Sequence, residues 1–573
     1  MIGNGRLISK QRGNVIVISA LFLIALSLAS LMVYDSGRVN NERTRLQNTA
    51  DAAAYSAAVI QARELNFHAY TNRAMIANHV TVAQLVSLSS YLQNNQQIFW
   101  TFEGIADWLR YIPYIGPAID AFFTVAERVF GYLNLGLQRA GDGLIPLQEG
   151  AVFALSYAQT LMHAATTGGM FFDVFEVIDQ NDSEASAGLA GGLLTADDIR
   201  VWLNFVQKYE VERAEQAYGG SDGSTGPTCL YYNQNCDDDD GVDNERHKER
   251  MDEFRQVTLA SRDQFSTTRN NRFWRINWLP FPLIKLEFRQ YGGTEMGRAE
   301  GKDAPYYSWS AKDTLSMWVQ KWKFSWRGPR RKWSETELGW GRQATYHPDG
   351  FDWSVPVSND YTPPWWCNYA PYASQCQGPD LEQYWGGAHK NDDAAEKVDK
   401  RDRKTRYWEG TTDKFNGSRH NYRGRFDGIG HRKGGLGANG RFGYTGLKDF
   451  HGLATNEQTS KAVPVRIYLE KGHDKINTSN NIDDVADSTS RNTLESAQGS
   501  GLNLARVMTL SKAEAHFLRA SDISGWQRRD GKFEYGSLYN PYWQPRLSSY
   551  SNSQAGDTVD DATGLDPDWR PIP

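Results

Sequence analysis

The stretch GNVIVISALFLIALSLASLMVYDSGR, residues 13–38, decides how the rest of this chain is read. Its apolar run, Val15 to Val33, carries no charge. As a helix, 19 residues at about 1.5 Å each give about 28 Å, close to the hydrocarbon thickness of a bilayer. Ser19, Ser27 and Ser30 interrupt it, but a helical hydroxyl can bond back to a carbonyl of its own preceding turn. Arg6, Lys10 and Arg12 stand before it with no acidic residue among them. By the positive-inside rule this places residues 1–14 in the cytoplasm and the bulk of the chain across the membrane. A cleaved signal peptide is the rival reading. The run is longer than such a segment and ends in Leu31-Met32-Val33-Tyr34 rather than a small-x-small site.

Immediately beyond lies LQNTADAAAYSAA, residues 46–58. Small residues fall at 50, 53, 54, 57 and 58, the spacing of one helix face, and Leu65, Ala69 and Ile76 extend it. With no proline between the anchor and Pro113, one helix, or two nearly collinear ones, is predicted from the membrane to about Gln93. Small side chains allow close helix approach. Packing within the chain and packing between subunits explain the stripe equally well.

Further along, Pro113, Gly116 and Pro117 break the helical pattern of residues 99–170. Asp120, Glu127 and Arg128 argue against a second span and for an amphipathic helix covering the first. A weaker helical pattern over 196–217 closes a helical stalk or bundle, 35–218. Residues 219–270 read as a linker with an acidic loop. From 271 the chain turns aromatic: Phe273 to Leu279 and the alternating Trp318 to Arg327 are strand candidates, as are 463–469 and 533–535, with a short helix over 504–518. The fold class is therefore α+β. A transmembrane helix (15–34) continues into the helical stalk, and a β-rich, aromatic-rich domain (271–573) follows.

The chain has 573 residues, 62 Lys and Arg against 68 Asp and Glu, and a net charge of −6, which gives no reason to expect nucleic acid. Its 19 tryptophans and 28 tyrosines predict that most of it folds. Cys229 and Cys236, and Cys367 and Cys376, form two close pairs that read as local disulfides outside the cytoplasm, although four cysteines allow three connectivities. Both spacings are wider than the usual zinc pair.

Other constellations carry little chemistry. The acidic run Asp237 to Glu245 would place Cys236 and His247 in the first and last ligand slots of a calcium loop, so a solvated loop is the better reading. Gly435, Gly437 and Gly440 match a dinucleotide fingerprint without the strand and helix it needs. Asp487-Ser488-Thr489-Ser490 lacks the second hydroxyl of a von Willebrand A metal site, where Arg491 stands. Gly219 to Gly223 has nucleophile-elbow spacing in a linker context. His389, His420, His431 and His451 lie near acids with no nucleophile, and read as solvated. Arg327, Arg330, Arg331 and Lys332 with Trp326 and Trp333 form a basic-aromatic strand edge that could bind an anionic polymer. Trp365, Trp366 and Trp408 are core residues or glycan platforms. No residue is assigned to catalysis, cofactor binding or metal binding.

Gly13, preceded by Arg12, the apolar run, Asp35-x-Gly37-Arg38, and Leu46-Gln47-Asn48-Thr49-Ala50-Asp51 with the alanines after it resemble the N-terminal region of TadG-like proteins of Flp (tight adherence) pilus assembly. NFHAYTNRAM (66–75) and YNPYWQ (539–544) are similar to stretches of larger members of that group. The resemblance implies a single-pass inner-membrane protein of a Gram-negative cell. Its partners would be the lipid bilayer and the membrane proteins of a pilus or secretion apparatus, and its role structural, not enzymatic. Ile18 stands where prepilins carry glutamate five residues after the cleavage glycine, so a retained anchor is expected rather than incorporation into a filament. A tryptophan-rich adhesin and a membrane-tethered hydrolase are the alternatives.

Overall fold

The computed structural model describes residues 14–109, 116–219, 238–267, 269, 271–278, 284–297, 307–325, 328–345, 444, 446–454, 462–472, 475–476, 506–519, 525 and 536–549. In chain order the elements are α1 (Asn14–Leu109), α2 (Gly116–Asn181), α3 (Gly188–Phe205), β1 (Val206–Tyr209), α4 (Val211–Gly219), α5 (Asp238–Ala260) and α6 (Gln264–Thr267), followed by eight strands. These are β2 (Asn271–Trp278), β3 (Ile284–Gly297), β4 (Ser308–Ser325), β5 (Gly328–Ala344), β6 (Phe450–Leu453), β7 (Ala462–Gly472), β8 (Arg506–Phe517) and β9 (Trp543–Ser548).

A single helix of 96 residues, about 144 Å long, is the spine. Its first part is exposed on all sides, from Val15 to Tyr34. There the hydroxyls of Ser19, Ser27 and Ser30 donate to the carbonyls of Ile16, Leu23 and Leu26, as a helix in lipid requires. From Leu46 onward one face is sealed. Ala50, Ala53, Ala54, Ala57 and Ala58 are fully buried within the chain, which gives the small-residue stripe a role in intramolecular packing.

Helix α2 returns antiparallel along α1. Gln96 donates to Glu127 at one end, Gln159 reaches Thr71 and Asn72 in the middle, and Arg45 donates to the Asn181 carbonyl at the other. It therefore covers α1 from about residue 45 to Phe102, where Phe99 and Phe102 stack on Phe130 and Phe123, and leaves the anchor bare. The helix predicted to end near Gln93 runs on to Leu109.

Three antiparallel sheets are built on this hairpin: β2-β3-β4-β5, β7-β8-β9 and the two-stranded β1-β6. The three-stranded sheet lies on the alanine stripe. Val463, Val465, Ile467 and Leu469 of β7 and Ala513, Ala515 and Phe517 of β8 share one core with Leu46 to Leu65 of α1. The four-stranded sheet lies further along α1, where Met296, Trp309 and Ala311 join Met75 to Val86 in a second core. Gly341 of β5 lets strand and helix meet: a Cβ there would lie 2.0 Å from the Ser90 carbonyl oxygen and 2.7 Å from the Asn94 nitrogen.

Below the first core, Lys471 at the end of β7 ties the sheet to the base of the hairpin. Its ammonium contacts Glu42 at 2.9 Å, Asp182 at 3.3 Å and Glu184 at 2.8 Å. Burial alone would lower its pKa, but the three carboxylates outweigh that and raise it.

Three sequence expectations change. Residues 504–518, read as a helix, form strand β8. Thr509, Ser511, Ala513, Ala515 and Phe517 alternate inward, and small residues on a central strand fit the alanine face of α1 better than a helix would. The acidic run is not a loop from Asp238 onward but the start of α5. Met251, Phe254 and Leu259 of that helix are fully buried, so half of the expected linker belongs to the core. The pattern over 196–217 is split by strand β1. Strands β2, β4 and β7 overlap the expected 273–279, 318–327 and 463–469, β4 beginning ten residues earlier than its alternating run, while 533–535 lies outside the described residues.

Candidate functional site

Between the two apolar cores of α1 lies a buried polar layer. Glu64, His68, Thr71 and Asn72 are sealed from solvent, one helical turn after another. On α2, Gln159 and His163 face them. His451 of β6 completes the layer, its ring stacked parallel on His68 with centroids 4.9 Å apart.

Glu64 is the hub. Its Oε1 lies 2.9 Å from His68 Nε2 and 2.6 Å from His163 Nδ1. Burial alone would raise the Glu64 pKa, but the hydrogen bonds from His163 and His68 outweigh it and hold the carboxyl below its ordinary value. Burial lowers His68, and Glu64 only partly offsets this. His451 is pushed down to about 2 by burial and by the neighbouring His68 and His163. The layer thus sets one carboxylate against His68 and His451, whose imidazoles burial keeps neutral, with His163 hydrogen-bonded to the same carboxylate. An ionised Glu64 only accepts, so Nε2 of His68 and Nδ1 of His163 are the protonated nitrogens.

The backbone around this hub is fixed. Asn72 Nδ2 donates to the carbonyls of His451 and Leu538, both at 2.9 Å. Gln159 Nε2 donates to Thr71 Oγ1 and Asn72 Oδ1, both at 2.7 Å, and Gln159 Oε1 accepts from the His451 amide at 3.0 Å. Among the described residues, Glu64 Oε2, His68 Nδ1 and His451 Nδ1 of this layer have no hydrogen-bond partner. Glu64, His68 and His163 place one donor atom each within 4.8 Å of the others, the kind of set that can hold a metal ion.

The two stretches quoted above for their likeness to larger TadG-like proteins meet beside this layer. Asn66 donates from Nδ2 to the Trp543 carbonyl at 2.8 Å and accepts from the Trp543 amide at 3.0 Å. Arg73 donates to Asn540 Oδ1 at 3.0 Å. Residues more than 460 positions apart are thereby joined.

Among the sequence candidates, Val15 and Val33 bound the exposed anchor segment, and Asp35, Gly37 and Arg38 continue α1 just past it. Leu46 and Ala50 are core, while Asn48 faces outward. Gln47 and Asp51 hold the sheet, Gln47 pairing with Thr509 and Asp51 accepting from Ser511 at 2.6 Å. His451 is not a solvated loop histidine; β6 buries it in the polar layer. Gly13, Cys229, Cys236, Cys367 and Cys376 lie outside the described residues, as do Trp326, Arg327, Trp365, Trp366, Trp408, His389, His420, His431, the Gly435–Gly440 motif and Asp487–Ser490. Arg330 to Trp333 lie on β5.

Reading the sequence missed Glu64 and His68. The visible signal was a polar row, Gln61, Glu64, His68 and Asn72, running at helical spacing beside an apolar stripe. His163 and His451 join it only through tertiary contacts.

Residues 13–62 match the model of the Flp pilus-assembly TadE/G-like family. The matched segment takes in the anchor and the alanine stripe and stops two residues short of Glu64. Comparison with curated proteins gave no match, and neither did comparison with solved structures.

Proposed function

We propose that this chain is a single-pass inner-membrane scaffold of a Flp-type pilus or secretion apparatus, with its N-terminus cytoplasmic and its body periplasmic. The observation that carries the reading is the continuity of α1. One unbroken helix contains the TadE/G-like segment, an apolar stretch exposed on all sides, and the spine on which both larger sheets are built. Among the described residues it is the one helix long and apolar enough to cross a membrane. About 12 Å of helix separates Tyr34 from Glu42, where the body begins. A rod of this kind holds a folded body at a fixed height above a bilayer.

A second surface supports a role in assembly. Val125, Val129, Tyr132, Leu147, Tyr157 and Leu161 lie exposed along one side of α2. Gly136, Gly143 and Gly150 repeat every seven residues on the same side, with open space where each Cβ would stand. An apolar face with a small-residue groove suits a partner helix.

Deleting the gene in its host and restoring it with or without residues 15–33 tests the reading. Pili are expected to disappear or shorten on deletion and to return only with the anchored form. Protease added to spheroplasts should degrade the body. Unaltered pili, or a body protected from protease, would overturn the proposal.

A further inference from the structure

We propose that Glu64, His68 and His163 bind a divalent transition-metal ion of the zinc class, in a pocket bounded by the ring of His451. The inference rests on these side chains and does not depend on the pilus reading. Glu64 and His68 stand one turn apart on α1, so both project from the same face. His163 reaches them from α2, and the three donor atoms lie within 4.8 Å of one another. Zinc with ligands at about 2.0–2.2 Å wants them roughly 3.3 Å apart in a tetrahedral shell. The Glu64–His68 and Glu64–His163 spacings of 2.9 Å and 2.6 Å reach that with shifts of under about 1 Å, and on binding each imidazole carries its proton on the other ring nitrogen, which leaves the lone pairs of His68 Nε2 and His163 Nδ1 for the ion.

Three further features favour a metal over a plain hydrogen-bonded layer. Glu64 Oε2 is buried with no hydrogen-bond partner among the described residues, and buried polar atoms are almost always paired, so a cation beside this carboxylate would satisfy it. The donor set of one carboxylate and two imidazoles suits zinc, cobalt or nickel and disfavours calcium and magnesium. The His451 main chain is clamped by Asn72 and Gln159, and Gln159 also ties the two helices together, so the pocket is held rigid. Glu64 and His68 are fully buried, while the His163 side chain keeps 17% exposure, which leaves a way in.

The test uses the full-length chain in detergent, without a polyhistidine tag. The protein is stripped with chelator and titrated with zinc chloride or cobalt chloride. One ion per chain is expected, retained through gel filtration, with a cobalt visible spectrum free of a thiolate charge-transfer band. Magnesium and calcium in excess should not displace it. H163Q and E64Q should each weaken binding by at least about 100-fold, more than loss of an outer-sphere partner does. Zinc should raise the unfolding midpoint of the unsubstituted chain and not that of H163Q. Failure of the folded unsubstituted chain to bind either metal would overturn the proposal, as would equal binding by folded H163Q and E64Q. Should neither variant fold, the cobalt spectrum decides, because a thiolate band or no spectrum would also overturn it.

Discussion

Two stretches of α1 differ in what surrounds them more than in what they are made of. Val15 to Val33 is apolar on every side and Leu46 to Val86 carries an apolar stripe, and both are free of proline and continuous in one helix. The first shows nearly half or more of every large side chain, with Leu31 at 46% and Met32 at 75%. The second buries Leu46, Ala50, Ala54, Leu65, Ala83 and Val86 completely. What separates them is residue size and the polar groups between. Leu, Ile and Phe fill the exposed segment, as contact with lipid tails favours, while alanines let a sheet lie directly on the buried one. The lesson is that helical apolarity alone does not name its solvent.

The sharpest way to break the comparison is to strike the buried half where it has no slack. Gly341→Ala puts a Cβ 2.0 Å from the Ser90 carbonyl, and neither backbone can yield without separating β5 from α1. A loss of about 3 kcal/mol or more is expected in denaturant unfolding of the detergent-solubilised chain. Membrane retention should not change. Next in size is the converse, Ile24→Lys at the middle of the exposed half. A lysine at a helix centre costs about 2.5–3.5 kcal/mol of insertion, so the variant should leave the membrane fraction in part while its body unfolds at the same denaturant concentration. If Ile24→Lys destabilised the body and left retention intact, the division of α1 drawn above would fail.

How much of this was legible in the sequence follows the same division. The anchor and the alanine stripe were readable because each is a local, periodic signal. Strands β2, β4 and β7 were readable from aromatic or alternating runs. Strand β8 was not, because Leu510, Ala513, Glu514 and Ala515 favour a helix locally and only the neighbouring alanine face makes a strand preferable. Helix α5 was hidden by an acidic start that resembles a loop. The polar layer was half visible. Glu64 and His68 share a turn of one helix, but His163 and His451 come from 99 residues and more away, and no spacing rule reaches that far.

A smaller effect sharpens what burial does to the second half of α1. His79 is pushed down to about 3, first by burial and then by the charge of Lys448, while its Nδ1 pairs with the Tyr444 hydroxyl at 3.2 Å. An unfolded chain takes up that proton near pH 6.5, and the folded chain refuses it until about 3. Stability is therefore intact above 6.5 and is lost as pH falls through this window, by up to about 1.4 kcal/mol per pH unit. Asp198, pushed up to about 6 by burial, has the opposite sign: as pH falls from 6 toward 3.8 the fold gains from its protonation. The informative quantity is thus the difference between variants. With chelator present, His79→Leu should lose about 2 kcal/mol less than the unsubstituted chain between pH 7.5 and 5. Parallel pH profiles would mean that His79 is reached by solvent.

The smallest expected effect probes a surface that belongs to neither half. Gly143 faces outward on α2 with nothing near its Cβ position, and it lies between Gly136 and Gly150 on an exposed apolar side. Gly143→Ala should raise stability by about 0.5–1 kcal/mol, because a helix gains when interior glycine is replaced and no neighbour is displaced. Gly143→Trp should be nearly as well folded, yet it fills the groove into which a partner helix would settle. If α2 faces only water, both variants assemble pili normally and differ only in unfolding midpoint. If the groove is occupied in the assembled machine, Gly143→Trp lowers pilus number without lowering stability or membrane retention. Exposed apolar surface on this protein would then have two distinct solvents, lipid for α1 and another protein for α2.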